Sequence, residues 1–328
     1  MKLIIINPNF TNRASDGISM QAIMWKSMLE GLNHEVVLFN CWEPVDWASF
    51  DYILFIGYGG LFTKLVNLLA PYNNLISAPI LDWPQSIFKL KLKSKLYNSH
   101  FKNPEAELFK FKDTFKFFLV RSNVEKNLLC DGVGVSSEKV FISRLPMRFK
   151  ANDVYDKPKE KFCFHVSRLN APEKNVSRLI AAGKKYGFNL VLAGGAGGPK
   201  STEELQNSIK DYPNIKYVGW ITDEELKDYY SRAKVFALPS FVEGVGLVAL
   251  EAAAFGCDIV LTELGAPKEY FDQKAFLVDP YSIDDIGKKV IMALEATDRQ
   301  PYLKEYILKN YNIDTVACSF ENMFIHMS

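Results

Sequence analysis

The sequence predicts an α/β protein of two successive domains, each organised on a mostly parallel sheet. Short apolar runs alternate with helix-length segments from the first residues onward, the pattern of βαβ units. The alternation restarts after a charged, proline-containing stretch at Arg148 to Lys161, which reads as a linker. The 328 residues, 48% of them hydrophobic, suffice for two sizeable cores.

In chain order, Lys2 to Asn7 is an apolar strand, the polar loop after Pro8 closes at Asp16-Gly17, Ile18 to Leu32 reads as a helix and His34 to Phe39 as the second strand. Such an opening places the binding edge at the carboxyl ends of the strands. The dinucleotide fingerprint GxGxxG is missing from this first turn, which argues against a nicotinamide enzyme. Asp51 to Gly57 and Leu75 to Leu81 are further strands, followed by Tyr58-Gly59-Gly60 and Asp82-Trp83-Pro84. These two loops read with equal weight as plain turns or as a binding wall on the same side of the sheet. From Ile87 to Lys126 the chain is basic and aromatic, with ten Lys/Arg against four Asp/Glu. Lysines at 89, 91, 93 and 95 fit a strand period better than a helical one, and the pattern leaves the choice open. Phe117 to Arg121 is a buried strand before a Ser122-Asn123 helix cap, and Lys139 to Pro146 closes the first domain. Past the linker, strands are expected at Phe162 to Val166, Leu190 to Ala193, Ile215 to Val218, Val235 to Leu238, Ile259 to Thr262 and Phe276 to Val278. Helices are expected at Val176 to Lys185 and Thr202 to Ile209, and Tyr302 to Met327 reads as one closing helix.

Composition narrows the function. The first 150 residues hold 18 Lys/Arg against 13 Asp/Glu and the remainder 21 against 25, so the basic half is the one to meet an anionic partner. No groove-reading or RNA-binding motif accompanies that charge, which disfavours nucleic acid. No run of eighteen apolar residues and no charged leader with an apolar core is present, so a cytoplasmic protein is expected. Cys41, Cys130, Cys163, Cys257 and Cys318 are odd in number and widely spaced, as reduced core residues would be. The four histidines lack zinc-site spacing.

The densest signal is Phe241 to Val260, FVEGVGLVALEAAAFGCDIV, a glycine-punctuated turn running into an apolar helix. Glu251 lies on that helix, where Val248 to Phe255 leave almost no polar face, and a buried carboxylate needs a partner. Glu243 stands at the turn eight residues earlier, about 12 Å away along a helical axis. Gly244, Val245, Gly246 and Leu247 lie between, where close backbone approach and free N–H groups at a helix start suit an anion. A nucleoside-diphosphate sugar has the matching order of parts: sugar hydroxyls, diphosphate, ribose.

EGVGLVALEAAAFGCDIV resembles the E-x7-E signature of retaining GT-B glycosyltransferases, in particular glycosyltransferase family 4, the glycosyl transferases group 1. The resemblance covers most of the chain, closely from Phe162 to Asp279 and loosely before. It implies the GT-B fold, two Rossmann-like parallel-sheet domains facing a central cleft. The acceptor-binding domain would be residues 1–155, with 303–328 packing back on it, and 156–302 would bind the donor. Arg168 and Lys174, in SRLNAPEKNVSRLI, sit just past a strand, where fixed cations can hold a diphosphate, and family members carry an arginine and a lysine at matching places. GGAGGPKS approaches the P-loop pattern but has Pro199 where the second glycine must donate an N–H, so an ATPase is excluded. By resemblance Gly194 and Gly195 line the donor cleft, and Val218, Trp220 and Ile221, ahead of a Thr222/Glu225 capping box, face the nucleotide base. Gly17, Tyr58 and Asp82 mark the acceptor side.

There is no D-x-D triplet to seat a metal, so metal-free, cofactor-free transfer is expected, with Arg168, Lys174 and the helix start carrying the diphosphate charge. Glu243 would hold the hydroxyls of the transferred sugar and Glu251 the ribose. The partners implied are a nucleotide-sugar, a glycan or lipid-linked acceptor, and an anionic inner-membrane face under the lysine-rich stretch at 87–116. Two rivals stand: a non-catalytic GT-B subunit that binds a nucleotide-sugar, and a GT-B epimerase-like hydrolase of sugar nucleotides.

Overall fold

The computed structural model describes residues 1–7, 17–58, 62–81, 86–96, 105–271, 273–297 and 302–327. The chain divides into two compact units, one of Met1–Leu81, Gln85–Pro146 and Ile313–Ser328, the other centred on Met147–Asn312.

The first unit runs β1 (Lys2–Ile6), α1 (Gly17–Gly31), β2 (Glu35–Leu38), β3 (Tyr52–Ile56), α2 (Phe62–Leu69), β4 (Leu75–Ala78), α3 (Ile87–Leu96), α4 (Ala106–Phe111), β5 (Phe117–Val120), α5 (Asn123–Asn127) and β6 (Val140–Ile142). Among the described residues its strands form one six-stranded parallel sheet, β2-β1-β3-β4-β5-β6. Every residue of β3 and β4 is buried, as expected of a parallel sheet covered on both faces. Ser122 caps α5 by accepting from the Glu125 amide at 3.1 Å.

The second unit runs β7 (Glu160–Val166), α6 (Val176–Tyr186), β8 (Leu190–Ala193), α7 (Pro199–Ile209), β9 (Ile215–Gly219), α8 (Asp223–Arg232), β10 (Ala233–Leu238), α9 (Leu247–Ala254), β11 (Asp258–Thr262), β12 (Phe276–Val278), α10 (Ile283–Glu295) and α11 (Tyr302–Asn310). Its parallel sheet is also six-stranded among the described residues, in the order β12-β11-β10-β7-β8-β9. The chain then enters α12 (Ile313–Met327), where Phe320 meets Trp25 of α1 with ring centroids 5.6 Å apart.

One open choice is settled and three expectations are corrected. The alternating lysines lie on a helix, α3, because its inward-facing residues are Ile87, Leu90 and Ser94 at helical spacing; Leu90 packs against Gly132, and Lys93 reaches Glu105 at 3.0 Å. The stretch from Arg148 is no free linker, since Phe149 and Tyr155 set their rings edge-on against Phe255 and draw the boundary back to Pro146. The closing helix is broken: Asn312 turns its side-chain amide onto the Leu308 carbonyl at 2.8 Å, which ends α11, and α11 with its buried Leu303 and Ile307 stays in the second unit. Finally, Cys41 and Cys318 are exposed and Cys130 is half-buried, so only Cys163 and Cys257 are core residues; all five are free thiols.

Candidate active site

In the second sheet the strand order reverses beside β7, with β8 on one side and β10 on the other. A parallel sheet binds its ligand in the crevice at such a point, past the carboxyl ends of the strands. The loops opening there are Ser167 to Asn175 from β7, Gly194 to Gly198 from β8 and Pro239 to Gly246 from β10.

Asn175 fixes the first loop to the third. It is buried in the left-handed region (φ 57°), and its side-chain amide donates to the carbonyls of Pro239 (2.9 Å) and Pro280 (2.7 Å). The Phe241 amide donates back to Glu173 O at 2.8 Å. This clamp brings Lys174 onto Glu243: Nζ donates to Oε2 at 2.8 Å, and Ser240 Oγ donates to the same oxygen at 3.0 Å. The two side chains are 21% and 12% exposed, so the pair is shielded without being sealed. Glu243 Oε1 has no protein donor among the described residues. Arg168 is 68% exposed and donates through one guanidinium nitrogen to Glu173 at 2.9 Å. An ion pair that open adds little stability and leaves the other N–H groups to meet an anion.

Gly246 (φ 74°) makes the left-handed turn that starts α9, with Val245 buried and Gly244 and Leu247 half-buried beside it. The helix is buried nearly all round, as its composition predicts. Glu251 is only 3% exposed, and both of its oxygens are engaged: Oε1 accepts from Arg148 Nε (3.1 Å) and Oε2 from the Tyr230 hydroxyl (3.2 Å). Arg148 also donates through NH1 to both oxygens of Asp223, at 2.8 and 2.9 Å. Burial raises the Glu251 carboxyl pKa, and the Arg148 guanidinium offsets part of that rise. Burial likewise pushes the Tyr230 hydroxyl well up, with Glu251 adding to it. Burial opposes the Arg148 charge, but Glu251 and Asp223 outweigh it and hold the proton more firmly than usual. Sequence reasoning missed Arg148 and Tyr230, for a buried carboxylate announces that it needs partners without saying which.

On the β8 side, Gly194 (φ 109°) donates its N–H to Gly219 O at 2.7 Å and accepts from the Tyr217 hydroxyl at 3.1 Å. A Cβ there would run into the Ser167 carbonyl oxygen. Gly194→Ala is therefore expected to lower stability by more than about 3 kcal/mol, since a backbone clash adds to left-handed strain; urea unfolding followed by circular dichroism checks this. The exposed Trp220 indole lies over Gly195, 2.8 Å from where a Cβ would stand. Val218 and Ile221 are half-exposed on the same edge, and the capping box is formed, with Thr222 Oγ1 accepting from the Glu225 amide at 3.3 Å. Pro199 occupies the first turn of α7, where a missing N–H is harmless, so this turn is no P-loop.

In the first unit, Gly17 opens α1, with nothing among the described residues within 4 Å of where its Cβ would stand, and Tyr58 follows β3 at the rim of a small apolar cavity lined by Phe55, Phe62, Ser77 and Phe115. Asp82 lies outside the described residues. Also missed from the sequence is His165, buried on β7 between the Ala237 carbonyl and the Ser167 hydroxyl.

Two parallel α/β units with a crevice of this kind define the GT-B class. Sucrose-phosphate synthase from Thermosynechococcus elongatus superposes with a TM-score of 0.76 at 15% identity, covering 100% of this chain and 99% of that one. Residues 148–310 match the glycosyl transferases group 1, and the chain belongs to that family. Among its curated relatives are the O-antigen chain mannosyltransferase B of Escherichia coli and the GDP-mannose-dependent alpha-(1-6)-phosphatidylinositol monomannoside mannosyltransferase of Mycobacterium tuberculosis. The first is 33% identical over 81 residues, 25% of this chain and 21% of the relative. The second is 26% identical over 170 residues, 46% of this chain and 44% of the relative. The chain thus spans less than half the length of these curated relatives.

Proposed function

We propose that this protein transfers a sugar from a nucleotide-sugar donor to a glycan or lipid-linked acceptor, retaining the anomeric configuration and using no metal. The observation that carries this is the Lys174–Glu243 pair, held at the switch point of the sheet beside Arg168 and the start of α9. Arg168, Lys174 and the amides from Gly244 to Leu247 take the charge that develops on the departing diphosphate. Glu243, with Oε1 open, holds the hydroxyls of the moving sugar. In a front-face course the acceptor oxygen bonds to the anomeric carbon as the bond to the diphosphate oxygen breaks on the same side, and the acceptor proton passes to that oxygen. The ribose meets Glu251 and the base lies near Val218, Trp220 and Ile221. The GDP-mannose dependence named for the mycobacterial relative supports a nucleotide-sugar donor.

The test is a thermal-shift screen of UDP-, GDP- and ADP-sugars followed by product analysis in excess EDTA. A ligand at a hundred times Kd adds about 2.7 kcal/mol of stability. No shift with any of them overturns the donor assignment, and free sugar released without an acceptor favours a hydrolase. Activity that collapses in EDTA and returns with Mg²⁺ or Mn²⁺ overturns the roles given to Arg168 and Lys174.

The acceptor side of this proposal includes a cytoplasmic protein resting on membrane. No helix among the described residues is long and apolar enough to span a bilayer. On α3, however, Phe88 (76% exposed) and Leu92 (51%) stand out beside exposed Lys89, Lys91 and Lys95. Lysines that neighbour a lipid surface contribute about 1 kcal/mol each. Flotation with phosphatidylserine vesicles is expected at low salt and to weaken in 0.5 M salt (roughly a 4 Å screening length), and Phe88→Ser with Leu92→Ser should abolish it. Absence of flotation at low salt removes the membrane from this proposal.

A further inference from the structure

The Ser167 hydroxyl stands at the carboxyl end of β7, and its hydrogen is already committed. His165, two residues earlier and so on the same face of the strand, is fully buried, with its ring parallel to that of Phe236. Nδ1 lies 2.7 Å from the Ala237 carbonyl oxygen, and Nε2 lies 2.7 Å from Ser167 Oγ. A carbonyl can only accept, so Nδ1 carries a proton. Burial pushes the ring pKa down to about 4, and the nearby Lys174 charge acts the same way, so the imidazole is neutral and Nε2 has only a lone pair. Ser167 must therefore donate to Nε2. Its oxygen keeps lone pairs and has no hydrogen left to offer, and among the described residues no protein group donates to it. A serine beside a diphosphate ordinarily serves as a donor; this one is locked as an acceptor.

β7 lies between β8 and β10, so Ser167 stands between the Gly194 turn and the loop that carries Glu243. Diphosphate oxygens are acceptors and gain nothing from another acceptor. The donors of a nucleotide-sugar are its hydroxyls; those of the ribose are given to Glu251, and the transferred sugar carries more of them than Glu243 alone can hold. We propose that Ser167 is a specificity-determining residue that accepts a hydrogen bond from a hydroxyl of the transferred sugar, with His165 as the positioning residue that locks it in that role. The assignment rests on the nucleotide-sugar site proposed above and extends it to a residue chosen by the protonation pattern of the strand end.

The experiment is isothermal titration of UDP, GDP, UDP-glucose, UDP-galactose, UDP-N-acetylglucosamine and GDP-mannose into wild type, Ser167→Ala, Ser167→Thr and His165→Phe. Ser167→Ala is expected to weaken the nucleotide-sugar that binds by about tenfold, the worth of one net hydrogen bond, and to leave its free nucleoside diphosphate unchanged. Ser167→Thr keeps the hydroxyl and should recover most of the loss. His165→Phe, checked for folding by its melting temperature, should reproduce the sugar-dependent loss because the released hydroxyl can turn toward phosphate. If Ser167→Ala weakens diphosphate and nucleotide-sugar by the same factor, or neither, the Ser167 assignment is overturned while the donor site stands. If wild type binds none of the six and no ADP-sugar either, the donor site itself is wrong and this assignment falls with it.

Discussion

Lys174→Ala is expected to lower kcat by about a hundred- to a thousandfold, the effect of removing one preorganised donor from a developing charge, roughly 2.7–4 kcal/mol. Glu243→Ala is expected to act mainly on kcat as well, because its target sugar gains positive character only as the bond breaks. The 2.8 Å contact between the two couples them, so the double variant should lose far less than the product of the single losses. Glu251→Ala should behave differently and mostly raise the donor KM, since a ribose contact is the same in ground and transition states. Steady-state kinetics against donor at saturating acceptor, on variants first shown to be folded, measures all four. Multiplicative losses at 174 and 243, or matched effects of the 243 and 251 variants on kcat and KM, would sink this division of roles.

The largest expected effect on stability comes from Arg148→Met. It leaves Glu251 buried, with Tyr230 as its one remaining hydrogen-bond partner among those described. Breaking a buried pair by removing one member typically costs about 3–5 kcal/mol, and the partial exposure of Arg148 places the expectation near the lower end. The loss should depend on pH. Burial already raises the Glu251 pKa above its unfolded value, and without the arginine it rises further. A carboxyl group whose folded pKa is raised favours the folded state below the unfolded pKa, and that contribution is lost as pH rises through the folded pKa. The deficit of Arg148→Met relative to wild type should therefore be small near pH 4, below the ordinary carboxyl pKa of about 4.3, and grow as pH rises toward 8. Adding Glu251→Gln should remove most of the pH dependence. Urea unfolding across that range measures it, and a deficit independent of pH would show that Arg148 acts through packing on Phe149 rather than through Glu251.

The sequence by itself determined the two parallel α/β units, most strand positions, the buried character of α9 and the presence of Glu243, Arg168 and Lys174 at strand ends. These follow from short-range properties: apolar runs, caps, glycines and the spacing of a motif within one loop and helix. Three things only the tertiary structure decided. The lysine-rich stretch became a helix because burial of Ile87 and Leu90, not lysine spacing, sets its period. The boundary moved back to Pro146 because Arg148 finds Glu251 across 103 residues of sequence, and Phe149 finds Phe255. His165 acquired a role because a buried ring must satisfy both nitrogens, and its partners come from β10 and from the end of its own strand. Pairings across that distance leave no periodic trace in the chain; they arise when desolvated polar groups are forced to choose among whatever neighbours the fold brings within 3 Å or so of them.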